Sequence, residues 1–164
     1  MKSKLLVLNH ACIFFGATLY CGVLWSLHFF WFPSWRNLKV DNYFNQFIPQ
    51  TDAATRFFTV VVPIMFFCLV VMVFSEWKGQ FRWTAIAALL CLGAATWVGQ
   101  LYIIPINKIL AQTITDQAQL TSYLERWMTL NDIRWVLLTI MWLVMMYYFA
   151  AKGRLFETLG GPKQ

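Results

Sequence analysis

Residues Tyr123–Trp142 read YLERWMTLNDIRWVLLTIMW, and this stretch decides the fold. Glu125, Arg126, Asn131, Asp132 and Arg134 run without a break into an apolar segment that continues to about residue 151. An apolar run of about 20 residues is the length that crosses a bilayer as a helix. Three earlier runs have the same character, so spans are expected at roughly 6–32, 57–75, 83–104 and 133–151. The fold class this predicts is an all-α integral membrane protein. It is a single four-transmembrane-helix bundle over 1–164, with two larger extracytoplasmic loops at about 33–56 and 105–132.

Composition agrees. Of the 164 residues, 60% are hydrophobic and 12% charged, with 15 Phe and 9 Trp. That leaves too little polar surface for a soluble domain. The net charge of +6 comes from residues that flank apolar runs. They form no extended stripe, so topology rather than nucleic acid accounts for them. The four cysteines (Cys12, Cys21, Cys68, Cys91) lie inside apolar runs with no CxxC spacing, which speaks against a disulfide framework. The N-terminal run starts like a secretory signal but continues to Phe32, and reads as a retained first span.

Lys2, Lys4, Lys78, Arg82, Lys152, Arg154 and Lys163 fall on one side of these spans, with only Glu76 and Glu157 beside them. The positive-inside rule then places both termini in the cytoplasm of what reads as a bacterial inner (plasma) membrane protein. Asp116 is positioned to cap a short amphipathic helix whose apolar side is Leu120, Leu124 and Trp127. Two stripes of small residues, Thr18-Gly22-Ser26 and Cys91-Ala95-Gly99, predict a tight pairing of the first and third spans.

A few polar residues need explaining. Gly93, Thr96, Gln100 and Asn107 recur at helical spacing on the third span, and an unpaired Gln100 amide in lipid would be costly. Gln100 therefore faces the bundle, either in a helix-to-helix hydrogen bond or in a site. Trp127, Asn131 and Arg134 are spaced i, i+4, i+7 and share a face if the helix runs through the join. Arg134 has three readings at this point: snorkelling to headgroups, a salt bridge with Asp132 or Glu125, or contact with a phenolate, carboxylate or phosphate. Trp25 and Trp31, together with neighbouring aromatics, fit an interfacial belt or the apolar wall of a pocket.

His10 and His28 are about 27 Å apart along one helix axis, so they cannot serve one haem or one metal cluster. The spans also lack the carboxylates of a di-iron bundle. A haem, a His-rich metal cluster or a di-iron centre is therefore not expected, which leaves a one-histidine or intersubunit metal site open. His28 is the best acid/base candidate, with Asn107 and Arg134 placed to stabilise an anion.

The second half carries a pattern. Pro105 and Asn107, then Arg126 and Trp127, then Arg134 resemble, in this order, the signature of the small four-span anthrone oxygenase-like membrane family. Gly16, Gly22, Trp25 and Pro33 agree loosely in the first span, and Asn131 stands where that family often has a histidine. The resemblance implies oxidation of a lipophilic aromatic by molecular oxygen without an organic cofactor.

Two functions lead. One is a membrane-embedded oxidoreductase or oxygenase acting on a lipophilic aromatic or quinone-like molecule in an outer-leaflet pocket. Its catalytic set would be His28, Asn107 and Arg134, with Trp25, Trp31, Gln100, Arg126, Trp127 and Asn131 binding substrate. The other is a non-enzymatic lipid- or quinone-binding, or complex-assembly, protein. A transporter ranks last, because no span combines acidic residues with a broken-helix pattern. Expected partners are membrane lipids, the lipophilic small molecule and a second copy of the chain in a homo-oligomer; nucleic acid is not among them.

Overall fold

The computed structural model describes residues 2–153, so Arg154, Glu157 and Lys163 of the basic-flank argument lie outside the described residues. Those residues are almost entirely helical: α1 (Lys2–Ser26), α2 (Phe32–Trp35), α3 (Tyr43–Glu76), α4 (Arg82–Val98), α5 (Ile104–Leu110) and α6 (Gln117–Lys152). Single π-helical turns, Leu27–Trp31 and Gly99–Ile103, join α1 to α2 and α4 to α5. The result is four long rods, Lys4–Trp35, Tyr43–Glu76, Arg82–Leu110 and Gln117–Lys152, each long and apolar enough to cross a membrane. Each expected span lies inside one of them.

The rods extend well past the apolar runs. Residues 43–56 and 117–132 fall in the two expected loops, the second with a short amphipathic helix foreseen after Asp116; they are the first turns of α3 and α6. Polar residues there follow helical periodicity, and the start of α6 is fixed by Asp116, whose carboxylate accepts the Ala118 N–H at 2.9 Å. Leu120, Leu124 and Trp127 are buried, as the amphipathic pattern requires.

The two π turns share one setting, each directly ahead of a proline, although Pro49 and Pro63 sit in α3 without one. Pro33 and Pro105 have no N–H, and a proline ring collides with the carbonyl four residues back. The chain relieves this by widening the preceding turn. Phe32 N–H donates to Leu27, and Ile104 N–H to Gly99, each five residues back. Both π turns begin at the same offset from their prolines. Neither proline ends its rod.

Residue pairs give the packing directions. His10 meets Tyr148 and His28 meets Asp132, so the first and last rods run antiparallel. Asn9 donates to Cys68 and Tyr20 stacks on Phe58, so the first and second do too. α4 packs on α6 and α3, whereas α1 packs on α6 and α3. Around the bundle the order is α1, α3, α4, α6, which puts α1 and α4 on a diagonal. The predicted Thr18-Gly22-Ser26 and Cys91-Ala95-Gly99 pairing therefore does not form. Gly22 is exposed, with nothing within 4 Å of the position its Cβ would take. Spacing alone identifies a small-residue face but not its partner.

The close approach falls at Gly16 instead. A Cβ there would lie 2.8 Å from Met65 Cγ and 3.0 Å from its Sδ. Met65 is itself buried and has little room to move. Gly16→Val is expected to push α1 from α3 at a cost of about 1–3 kcal/mol. A lowered thermal midpoint in detergent checks this; an unchanged one means that Met65 has space to yield.

Two apolar clusters fill the bundle. The larger joins Ile13, Ala17, Leu69, Leu92, Leu138 and Met141 along its middle and lower part. The smaller is aromatic and lies at the other end, around Trp35, Phe47 and Trp127, whose rings meet edge to face at 4.9 to 5.7 Å. Polar links close that end. Tyr43 donates to the Gln112 carbonyl at 2.8 Å and accepts Ile114 N–H at 3.0 Å, and Gln117 bridges Leu38 and Val40.

Candidate functional site

Between the two clusters the helices part and leave a cavity of about 290 Å³. Every rod contributes to its wall: Tyr20, Leu24 and Trp31 from the first; Thr51, Thr55, Phe58 and Thr59 from α3; Thr96, Gly99, Gln100 and Asn107 from the third; and Trp127, Asn131 and Arg134 from α6. Both π turns border it. A π turn carries one residue more than an α turn and thereby displaces the backbone from its neighbours.

Arg134 dominates the chemistry. It is half-buried, and its Nη1 donates to Asn131 Oδ1 at 2.7 Å, while Nη2 donates to the Tyr20 hydroxyl. Asn131 is 1% exposed and held by its own bond to the Trp127 carbonyl at 2.9 Å, so the amide that orients the guanidinium is fixed. The guanidinium also lies over the Tyr20 ring, 5.5 Å from its centroid, and against Gly99. Among the described residues no carboxylate lies in ion-pair range of Arg134. Asp132, one candidate partner, is taken by His28, and Glu125, the other, is exposed. Arg134 Nε is buried with no acceptor, as is the Thr96 hydroxyl.

The α3 wall is complementary. Thr51, Thr55 and Thr59 recur every fourth residue, and each donates its hydroxyl hydrogen back to the carbonyl four residues earlier, at 2.7 to 3.0 Å. Their oxygens are left as acceptors. The remaining lining is mainly aliphatic and aromatic, which suits a largely apolar ligand with a few polar contacts.

No family model, curated protein or solved structure matches the chain.

The residues expected from sequence separate into two groups. Asn107, Arg134, Trp31, Gln100, Trp127 and Asn131 all line the cavity. Asn107 Oδ1 accepts the Trp127 indole N–H at 2.7 Å, which joins α5 to α6 at the aromatic end of the bundle. His28, Trp25 and Arg126 are not among the lining residues. His28 Nδ1 is 2.7 Å from Asp132 Oδ1, and its ring stacks on Trp135 at 4.5 Å with an interplanar angle of 5°. Trp25 donates to Thr139 at 3.0 Å on the same α1–α6 seam. Arg126 is exposed. Tyr20 and the threonine series were missed: a tyrosine in an aromatic-rich span and threonines ahead of an apolar run carry no distinctive spacing against another helix.

His28 is therefore a clamp between the first π turn and α6. His28→Gln is expected to loosen that seam by about 1 kcal/mol while leaving ligand affinity within about twofold of wild type. A loss of affinity as large as that of an Arg134 variant would instead put His28 in the site.

Proposed function

We propose that this is a membrane-embedded protein that binds a lipophilic, oxygen-bearing aromatic or quinone-like molecule in the cavity beside Arg134. The observation that carries the reading is an arginine with no carboxylate partner, oriented by a buried asparagine, at the edge of an apolar cavity between four membrane-length helices. Taking a guanidinium from water is expensive unless an acceptor meets it. A phenolate or carbonyl oxygen supplies that acceptor, and the apolar walls take the ring. With both termini cytoplasmic in a bacterial inner membrane, the cavity belongs to the outer-leaflet half.

The resemblance to anthrone oxygenase-like proteins makes oxidation of the bound aromatic the enzymatic form of this proposal. A binder or assembly factor without turnover is the second form. The position of His28 on the α1–α6 seam favours it, because the expected base does not line the cavity. The exposed Thr55, Thr59 and Gln100 on the cavity's flank also fit entry of a molecule from the bilayer.

The test is titration of the full chain in phosphatidylcholine nanodiscs with 2-methyl-1,4-naphthoquinone, read by quenching of the cavity tryptophans Trp31, Trp35 and Trp127. Saturable quenching supports the proposal. Quenching abolished by a modest fraction of phosphatidylglycerol would reassign the Arg134 site to an anionic lipid headgroup. Linear, non-saturating quenching would remove the site altogether. Oxygen consumption with the corresponding hydroquinone, above the rate in empty nanodiscs, separates the enzymatic form from the binding form.

A further inference from the structure

Resting on the ligand site beside Arg134, the geometry points to Tyr20 as a second donor that, with Arg134, selects a ligand oxygen able only to accept hydrogen bonds. Tyr20 is 2% exposed and lines the cavity. Its ring is fixed by stacking on Phe58, with centroids 4.2 Å apart and planes inclined by 25°. Its hydroxyl oxygen receives Arg134 Nη2–H. A phenol has one hydrogen to give, and with its oxygen occupied by the guanidinium that hydrogen is directed away from Arg134. Among the described residues no acceptor takes it.

The donor inventory then decides the chemistry. At this end of the cavity Arg134 Nε–H has no acceptor, Tyr20 O–H has none, and the Thr96 hydroxyl is unpartnered. The two acceptors beside the guanidinium are already used, since Asn131 Oδ1 and the Tyr20 oxygen both take Arg134, and the free threonine oxygens lie on the α3 wall. A ligand hydroxyl could accept from these donors too, but its own hydrogen would find no free acceptor beside the guanidinium, and a protonated amine would offer no lone pair. A ketone, enolate or phenolate oxygen, which offers lone pairs alone, satisfies two donors at once. One charged and one neutral donor side by side is the donor set an oxyanion site uses, and the guanidinium strengthens the phenol as a donor by polarising it. Ring and oxygen of the ligand are thus read by different walls: apolar side chains take the ring and the Tyr20–Arg134 pair takes the oxygen. Tyr20 is a specificity-determining residue of the site.

The experiment compares two probes of one shape, 2-methyl-1,4-naphthoquinone and 2-methylnaphthalene, in wild-type protein and Tyr20→Phe, in phosphatidylcholine nanodiscs. Removing the hydroxyl is expected to weaken the quinone about three- to tenfold, the size of one neutral hydrogen bond, and to leave the hydrocarbon unchanged. The infrared carbonyl stretch of the bound quinone provides a second readout. It is expected at lower frequency in wild type than in Tyr20→Phe, a signature that a merely structural Tyr20 would not produce. Equal quinone affinity and an unchanged carbonyl band in Tyr20→Phe would overturn the role of Tyr20 while leaving the Arg134 site standing. Failure of wild-type protein to bind the quinone would remove both.

Discussion

Replacing Arg134 with glutamine is expected to weaken quinone binding by about 10- to 100-fold, the largest functional effect of any single change in this protein. The magnitude is that of one hydrogen bond to a charged group, about 1.5–3 kcal/mol. Glutamine keeps polar atoms at the position but removes the charge and the rigid fork of donors. The fold should survive it. Arg134 has no carboxylate to strand among the described residues, and the partners it leaves are neutral: Asn131 and Tyr20. An affinity within twofold of wild type, in a variant that still purifies as folded protein, would mean that the guanidinium serves the bundle and not a ligand. The paired behaviour of His28→Gln sharpens the result, since affinity and stability should separate between the two positions.

The largest stability effect is expected at the opposite end of the bundle, at Glu76. Its carboxylate accepts from Tyr148 at 2.8 Å and from Lys152, and the Tyr148 hydroxyl in turn receives Lys152 Nζ at 2.7 Å and faces His10 Nδ1 at 3.1 Å. His10, Glu76 and Tyr148 are buried, so this cluster ties α1, α3 and α6 together where water is scarce. Glu76→Ala leaves the tyrosine hydroxyl and the lysine without their shared acceptor. Each group stranded in a buried place costs about 1–3 kcal/mol, although Lys152 is half-exposed and recovers part of its share from solvent. Thermal unfolding in detergent should fall by several degrees, at about 2–4 °C per kcal/mol for a chain of this size. Quinone affinity should not change, because Glu76 is remote from the cavity. An unshifted midpoint would mean that this cluster is solvated and contributes little.

Much of this architecture was legible in the residues. Four apolar runs are long enough to dictate four rods, since a backbone in lipid has no alternative to helix or closed barrel. The i, i+4, i+7 spacing of Trp127, Asn131 and Arg134 foretold a shared face, and the three do border one cavity. Asn107 was likewise placed on the inner side and lines the cavity, whereas Gln100, expected to face the bundle, borders the cavity but is exposed. The helical stretch at 43–56 was harder to read, because a polar segment gives no bilayer signal, whereas Asp116 and the Leu120-Leu124-Trp127 pattern did mark a helix after residue 116.

The partners were not legible. Sequence ranks His28 as an acid/base group on its intrinsic chemistry, but the stacking of its ring on Trp135 and its pairing with Asp132 depend on which face of α6 lies against α1. The same limitation hid Tyr20, whose importance comes from Arg134 lying 114 residues away in the chain. It also misdirected the small-residue stripes, since a helix in a four-membered ring has two neighbours and one diagonal. By the rule that the residue before proline avoids the helical region, Pro33 reads as a helix end and Pro105 as an end or bend; the chain instead answers both with a π turn beside the same cavity and continues.

The central claim is that the cavity beside Arg134 is where a lipophilic aromatic binds. Photolabelling with an azido-substituted naphthoquinone in nanodiscs, mapped by peptide mass spectrometry, tests it most directly. Labels are predicted on Trp31, on Thr55–Thr59 and on Gln100–Asn107, displaced by unlabelled quinone and diminished in Arg134→Gln. Labels confined to exposed rod surfaces such as Phe15, Phe67 and Phe74, and unaffected by the Arg134 variant, would contradict it.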